Sequence, residues 1–286
     1  MLGRDLVDEF KKTGGGFDKS NPYINEKYNV IPTDIPELDI TQDGVIKKIK
    51  TFAPDLVLHI AAYTNVDGCE LEPEKALQVN AMGTKNVATV CKELEIPLLY
   101  ISTDYVFDGE NPIPYVEWDQ PNPLNVYGQT KLEGELWVKR LVKDYWIIRT
   151  SGLYGRWGKN FVDTIIKKAK EVDTIKVVAD QTGSPTYTKD LANAIKKLIR
   201  TDNFGIYHIT NSGWCSWYEF AQTIIGTYGK ITCDVLPISS DELNRPAKRP
   251  KNFRLLNFAW DTIFKEPLRT WQEALNEYIK LNRRKY

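Results

Sequence analysis

Short apolar runs alternate along the chain with longer stretches whose apolar residues recur at helical spacing. The runs at Asn29–Thr33, Asp55–Ile60, Leu98–Ser102, Trp146–Arg149 and Ile206–Ile209 predict strands, and a continuous stretch such as Leu56-Val-Leu-His-Ile60 predicts one buried on both faces. Helices are expected over Arg4–Lys12, Glu72–Leu94, Leu124–Val142 and Lys189–Arg200. In the second of these Ala76, Val79, Gly83, Val87, Val90 and Leu94 make one apolar stripe, on which Asn80 also falls. Gly14-Gly-Gly16 follows the first helix and reads as its stop and a flexible loop. Buried strands alternating with crossover helices predict an α/β fold, a doubly wound parallel sheet that takes ligands beyond the carboxyl ends of its strands. Residues 1–151 and 180–211 are assigned to that dinucleotide-binding unit. The segments 152–179 and 212–286, richer in Trp and Pro, are expected to form a smaller mixed α/β lobe facing the substrate.

Composition and charge exclude several function classes. With 38 basic and 38 acidic residues in 286, the chain has no net field to draw nucleic acid or an anionic membrane, and Arg283-Arg-Lys285 reads as a solvated tail. Cys69, Cys91, Cys215 and Cys233 show no close pairing motif, and several lie in apolar patterns. That fits buried thiols in a reducing compartment and not a metal site. No run approaches the roughly 20 apolar residues of a membrane span, and the N-terminus lacks a signal-peptide pattern. A cytoplasmic protein is expected, with a homodimer as one possible assembly.

The candidate chemistry centres on Tyr127-Gly-Gln-Thr-Lys131. Residues four apart on a helix share a face, so the Lys131 ammonium can sit beside the Tyr127 phenol and stabilise its ionised form. Thr103, at the end of the preceding strand, adds a hydroxyl; together the three make a site for holding a carbonyl oxygen while a hydride arrives from a nicotinamide. A Tyr-x-x-x-Lys pair alone occurs by chance on many solvated helices, so other segments must carry the weight. Small residues after Ile60 let a flat ligand approach the backbone. Asn80 is either a satisfied core amide or a polar group beneath the Tyr-Lys pair. Asp180-Gln-Thr-Gly-Ser-Pro-Thr186 is a turn-rich loop whose polar groups are placed for ligand contact. Asp34 at the end of the second strand is read either as a partner of the adenosine ribose or as a turn residue.

In order along the chain stand Glu37-Leu-Asp-Ile-Thr41, Ala61-Ala-Tyr-Thr64, Val79-Asn-Ala81, Ser102-Thr-Asp-Tyr-Val-Phe-Asp-Gly109, Pro123-Leu-Asn-Val-Tyr-Gly128, Arg149-Thr-Ser151, the loop from Asp180, and Tyr207-His-Ile-Thr-Asn-Ser-Gly213. This set resembles the extended short-chain dehydrogenase/reductases, and within them the dTDP-4-dehydrorhamnose reductase family, from Leu2 to the C-terminal helix. The resemblance implies a Rossmann-like fold and reduction of a dTDP-linked 4-keto sugar by NADH or NADPH, with Mg2+ left open. It implies that Tyr127 supplies the proton, Lys131 lowers the Tyr127 pKa and Thr103 hydrogen-bonds the carbonyl. Cofactor contacts carry over to Gly3, Asp39, Ile40, Ala61, Ala62, Tyr63, Thr64 and Lys131, with Asn80 and Tyr127 alongside. Asp34 followed by Ile35 leans toward NADH, because a carboxylate repels a 2′-phosphate. Asp104 and Tyr105 are expected to face the sugar. Arg249, in Pro246-Ala-Lys-Arg-Pro250, is a candidate for the diphosphate or a surface arginine between prolines. Gly152 stands where some relatives carry a tryptophan.

One departure concerns the start. The family pattern opens with an apolar strand and a Gly-x-x-Gly-x-x-Gly turn, whereas this chain begins Met1-Leu-Gly3, keeping only the last glycine. A strand-plus-glycine segment of about a dozen residues is expected upstream in frame, and its lack leaves a gap between the strands near Val30 and Leu56. Two other readings stand beside the reductase. One is another nucleotide-sugar reductase; the other is a non-catalytic relative such as the regulatory subunit of methionine adenosyltransferase. A dehydratase needs a second carboxylate after the first, where this chain has Tyr105.

Overall fold

A computed structural model of the chain describes residues 1–11, 28–229 and 231–283. The loop read at Gly14–Gly16, the end of the first helix at Lys12, and the tail residues 284–285 lie outside the described residues. Four parallel strands form the main sheet: β1 (Val57–His59), β2 (Leu98–Thr103), β3 (Tyr145–Thr150) and Gly205–His208, hydrogen-bonded in that order. Every residue of β2 is buried, as a strand covered on both faces requires.

Alternate side chains feed two cores. Leu99, Ile101, Trp146 and Ile148 pack toward helices α1 (Leu2–Lys11) and α8 (Thr188–Leu198), with Leu6, Leu191 and Ile195 among their partners. Leu98, Tyr100 and Ile147 face the other way, into Ile49 of α2 (Val45–Thr51), Val87 of α5 (Thr84–Leu94) and Val138 of α6 (Val126–Leu141). A third core, rich in aromatics, joins α7 (Phe161–Ala169), α9 (Trp217–Tyr228) and α11 (Trp271–Asn282) beneath a small sheet in which Thr174–Val178 pairs in parallel with Asp234–Ile238. Short helices α3 (Val66–Leu71), α4 (Pro73–Ala76) and α10 (Phe258–Phe264) complete the frame.

Two expectations are corrected. Residues 29–33 are not a strand: Val57–His59 is the edge of the sheet among the described residues, so their backbone groups have no ladder to join. Tyr28 and Val30 instead lean on the α1 core, where Tyr28 meets Phe10 edge-on at 4.9 Å. The helix expected over Glu72–Leu94 is interrupted. Pro73 starts α4, a π-helical turn spans Leu77–Gly83, and regular helix resumes at Thr84. A π turn inserts one residue into the i→i−4 pattern and re-aims the side chains it carries, and this one carries Asn80.

Candidate functional site

Helix α6 starts where Asn125 caps it, accepting from the Gly128 N–H at 2.9 Å while its own amide donates to the Lys248 carbonyl at 2.7 Å. Glu70 of α3 accepts from the Val126 N–H at 2.8 Å. These contacts place Tyr127 in the first turn, beside the end of β2. There is no room between the two: a Cβ on Gly128 would land on the Tyr105 carbonyl oxygen. Tyr127 is 9% exposed, lies edge-on to Tyr105 at 5.5 Å, and has the Thr103 hydroxyl as a neighbour of its phenol. Burial raises the phenol above its ordinary pKa; the Thr103 contact lowers it, while Asp104, Tyr105 and Cys69 raise it further.

Lys131 shares the face, as the spacing predicts, but its ammonium is engaged elsewhere. It donates to the Ile101 carbonyl at 2.7 Å and sits 4.0 Å from the centroid of the Tyr100 ring. Burial lowers its pKa to about 7, against the pull of Glu135 one turn on. Its ammonium is held by that backbone carbonyl, and the groups that chiefly shift the Tyr127 phenol are burial, Thr103, Asp104, Tyr105 and Cys69. Glu135 is itself held by both guanidinium arms of Arg149, at 2.9 and 2.8 Å, and by the Ser102 hydroxyl at 2.6 Å. Sequence reading missed Glu135, although it stands four residues after Lys131 on the same helical face, and nothing local pointed to Arg149.

Thr103 donates to Asp104 Oδ1 at 2.8 Å and accepts from the Tyr105 N–H at 3.2 Å. Asp104 is 3% exposed, and its second oxygen accepts from Ser151 at 3.1 Å. Placed so, Asp104 lies behind Thr103 rather than open to a sugar. Tyr105 remains near the front, with Arg249 beside it. The Arg249 guanidinium is paired: Nη1 donates to Asp67 Oδ1 and to the Ala247 carbonyl, each at 3.0 Å, and Arg245 takes the other Asp67 oxygen at 3.0 Å. Sequence reading missed Asp67, which meets partners some 180 residues away.

Asn80 has the bland explanation in full. It accepts from the Tyr63 N–H at 2.8 Å and donates to the Tyr63 carbonyl at 3.2 Å and Thr130 Oγ1 at 3.1 Å. It thereby straps the segment Ala61-Ala62-Tyr63-Thr64, past the end of β1, to α6. Tyr63 donates to Glu72 at 2.6 Å, while Ala61 and Thr64 are exposed. Ile40 is core, and Asp39 caps its own turn, accepting from Thr41 N–H at 2.9 Å. Gly3 lies within α1, where an added Cβ would meet Ile60 at an ordinary 3.9 Å. Asp34 is exposed and accepts from the Ile35 N–H at 2.9 Å, the turn-residue alternative. In the loop from Asp180, Ser240 donates to the Asp180 carboxylate at 2.8 Å, and the buried Ser184 hydroxyl has no partner. At Gly152, φ is +54° and a Cβ would press on Pro185 Cα at 3.1 Å, so glycine suits this turn.

A nicotinamide dinucleotide fits these residues. Ala61 and Ala62, past the end of β1, put no bulk between the backbone and a flat ring, and the Lys131 ammonium lies against the neighbouring strand β2 at the Ile101 carbonyl. The cysteines are unpaired, and no described helix is long and apolar enough to cross a membrane.

A family model for the RmlD substrate binding domain matches residues 18–284. The dTDP-4-dehydrorhamnose reductase of Sinorhizobium fredii is 38% identical over 85% of this chain and 86% of its own. A crystal structure of dTDP-4-dehydrorhamnose reductase from Bacillus anthracis in complex with NADP superposes with a TM-score of 0.89 at 40% identity, covering 98% of this chain and 95% of that one. The Clostridium acetobutylicum enzyme of the same name gives 0.91 at 42% identity, covering 99% and 96%.

Proposed function

Because the chain belongs to the RmlD substrate-binding-domain family, we propose that it is an NAD(P)H-dependent dTDP-4-dehydrorhamnose reductase, which reduces the 4-keto sugar nucleotide to dTDP-L-rhamnose. The observation that supports the reading is the meeting of Thr103, at the carboxyl end of β2, with Tyr127, on the first turn of α6, above a buried Lys131. The bound dinucleotide supplies the hydride for the carbonyl carbon. Thr103 and Tyr127 hold the carbonyl oxygen, and Tyr127 delivers its phenolic proton there as negative charge develops. Lys131 lies under that corner, where burial lowers its pKa to about 7 and the Glu135 carboxylate opposes the lowering. Asn80 fixes Tyr63 in the Ala61–Thr64 segment that would hold the dinucleotide.

The sugar nucleotide is placed between these strand ends and the lobe built from 152–179 and 212–286, with Tyr105 toward the sugar and Arg249 toward the diphosphate once it leaves Asp67. Asp34, exposed and accepting from the Ile35 N–H with one oxygen, is the residue on which a preference for NADH rests, and the assay with both dinucleotides decides it. The test is direct. Purified protein is given dTDP-4-dehydro-L-rhamnose with NADH or NADPH, and both dinucleotide oxidation and dTDP-L-rhamnose are measured. Sugar-dependent oxidation with at least one dinucleotide is expected; none with either sinks the assignment.

A further inference from the structure

Thr103 has one hydrogen to give and two claims on it. Its oxygen lies 2.8 Å from Asp104 Oδ1 and already accepts from the Tyr105 N–H. An ionised carboxylate accepts only, so it must take the Thr103 hydrogen; a carboxylic acid carries its own and can donate it to Thr103. In that second state both lone pairs of Thr103 are engaged, by Tyr105 N–H and by the acid. Its hydrogen is then free to point to the Tyr127 side, where the ketone oxygen belongs in the reading above. Resting on that reading, we propose that the Asp104 carboxyl is a positioning group that decides whether Thr103 faces the substrate as a donor: protonated, it turns the hydroxyl toward the ketone; ionised, it turns it away.

The surroundings favour such a switch. At 3% exposure, Asp104 has almost no access to water that could substitute for either partner. Its second oxygen is anchored by Ser151, so the carboxyl plane is held while the proton comes and goes. Burial pushes the group up to about 7, opposed by hydrogen bonds from the Thr103 and Ser151 hydroxyls and from the backbone N–H groups of Asp104 and Tyr105, which favour the ionised form. Facing it are two phenols, Tyr105 from its own turn and Tyr127 from α6, both raised well above neutrality. The Arg249–Asp67 pair stands beyond Tyr105, and Cys69 stands beyond Tyr127. Lys131, farther along α6, also titrates near 7, so the test must separate the two groups.

With dinucleotide and sugar saturating, kcat of the wild type is expected to fall about tenfold between one pH unit below and one above the Asp104 midpoint. Asp104→Asn places an amide donor permanently against Thr103, and its alkaline limb should begin at higher pH or vanish, whatever its absolute rate. Ser151→Ala removes a donor to the carboxylate, which raises the Asp104 midpoint and moves the limb upward. Lys131 has no contact with Ser151, so a limb belonging to the lysine stays put. A limb that is unmoved or lowered in Ser151→Ala, or in a folded Asp104→Asn, overturns the proposal. Absence of sugar reduction by the wild type at every pH would instead sink the reductase reading itself.

Discussion

At the scale of single residues, the proposed reaction gives Tyr127 and Thr103 different work on one oxygen. Tyr127→Phe keeps the ring that packs on Tyr105 and removes only the phenolic oxygen. Dinucleotide affinity should hold, while single-turnover reduction falls by ~10²–10⁴-fold, the usual contribution of a positioned acid. Thr103→Val loses one hydrogen bond and not the proton, so its rate should fall less. Near-wild-type turnover by Tyr127→Phe with both substrates saturating would remove it from the catalytic step. The Tyr-to-Lys spacing was readable because a helix places every fourth residue on one face. Where the Lys131 ammonium points was not readable: the Ile101 carbonyl that it meets lies 30 positions back, across the strand-helix corner.

Among the elements, α6 is the one whose placement the site depends on, and two glycines set it. A Cβ on Gly134 would collide with the Tyr100 hydroxyl and lie 2.8 Å from the Asn80 carbonyl, so α6, β2 and the π turn touch at this point. Gly134→Ala gains helix propensity but overpacks the contact. It should cost ~1–3 kcal/mol in urea unfolding, and a stabilised variant would show that the elements part easily. Gly128→Ala collides with the Tyr105 backbone and should lower kcat more than stability, because the helix start carrying Tyr127 has to shift. Equal fractional losses in both would argue against that. The stripe from Ala76 to Leu94 correctly marked a buried helical face. It did not reveal the π turn, since one inserted residue is set by the Asn80 contacts to Tyr63 and Thr130 and leaves no trace in apolar spacing.

For the whole molecule, buried histidines tie stability to pH. Burial holds His59 and His208 neutral, lowering each from 6.5 to about 3, the first hydrogen-bonded to Thr84 at 2.9 Å and the second beside the Tyr115 carbonyl. The unfolded chain therefore binds more protons than the folded one between these values. Their stabilisation is complete above pH 6.5 and drains away as pH falls toward 3. Glu135, depressed by Arg149, adds a loss at the lower end, as pH falls below its ordinary 4.5. Tm measured by calorimetry should drop from pH 7 to pH 4, and His208→Gln, whatever its own Tm, should show a shallower slope. An unchanged slope would mean that other groups govern the acid limb.

The doubly wound parallel sheet and the helices that flank its strands near 4–12, 124–142 and 189–200 were determined by the sequence itself. Apolar periodicity records which faces are buried, so the helices expected over 124–142 and 189–200 fall within two residues of Val126–Leu141 and Thr188–Leu198. The order of motifs likewise named the family and brought Thr103, Tyr127 and Lys131 into view. The tertiary structure alone decided whether a predicted strand finds a partner, as residues 29–33 show, and which charges pair. Arg249 with Asp67, Glu135 with Arg149 and Asp104 with Ser151 share no local pattern that ranks one partner over another. A strand needs a neighbour for its hydrogen bonds, and a buried charge needs whatever counter-group the packing brings within reach. Both are properties of distance in space, which chain order does not carry.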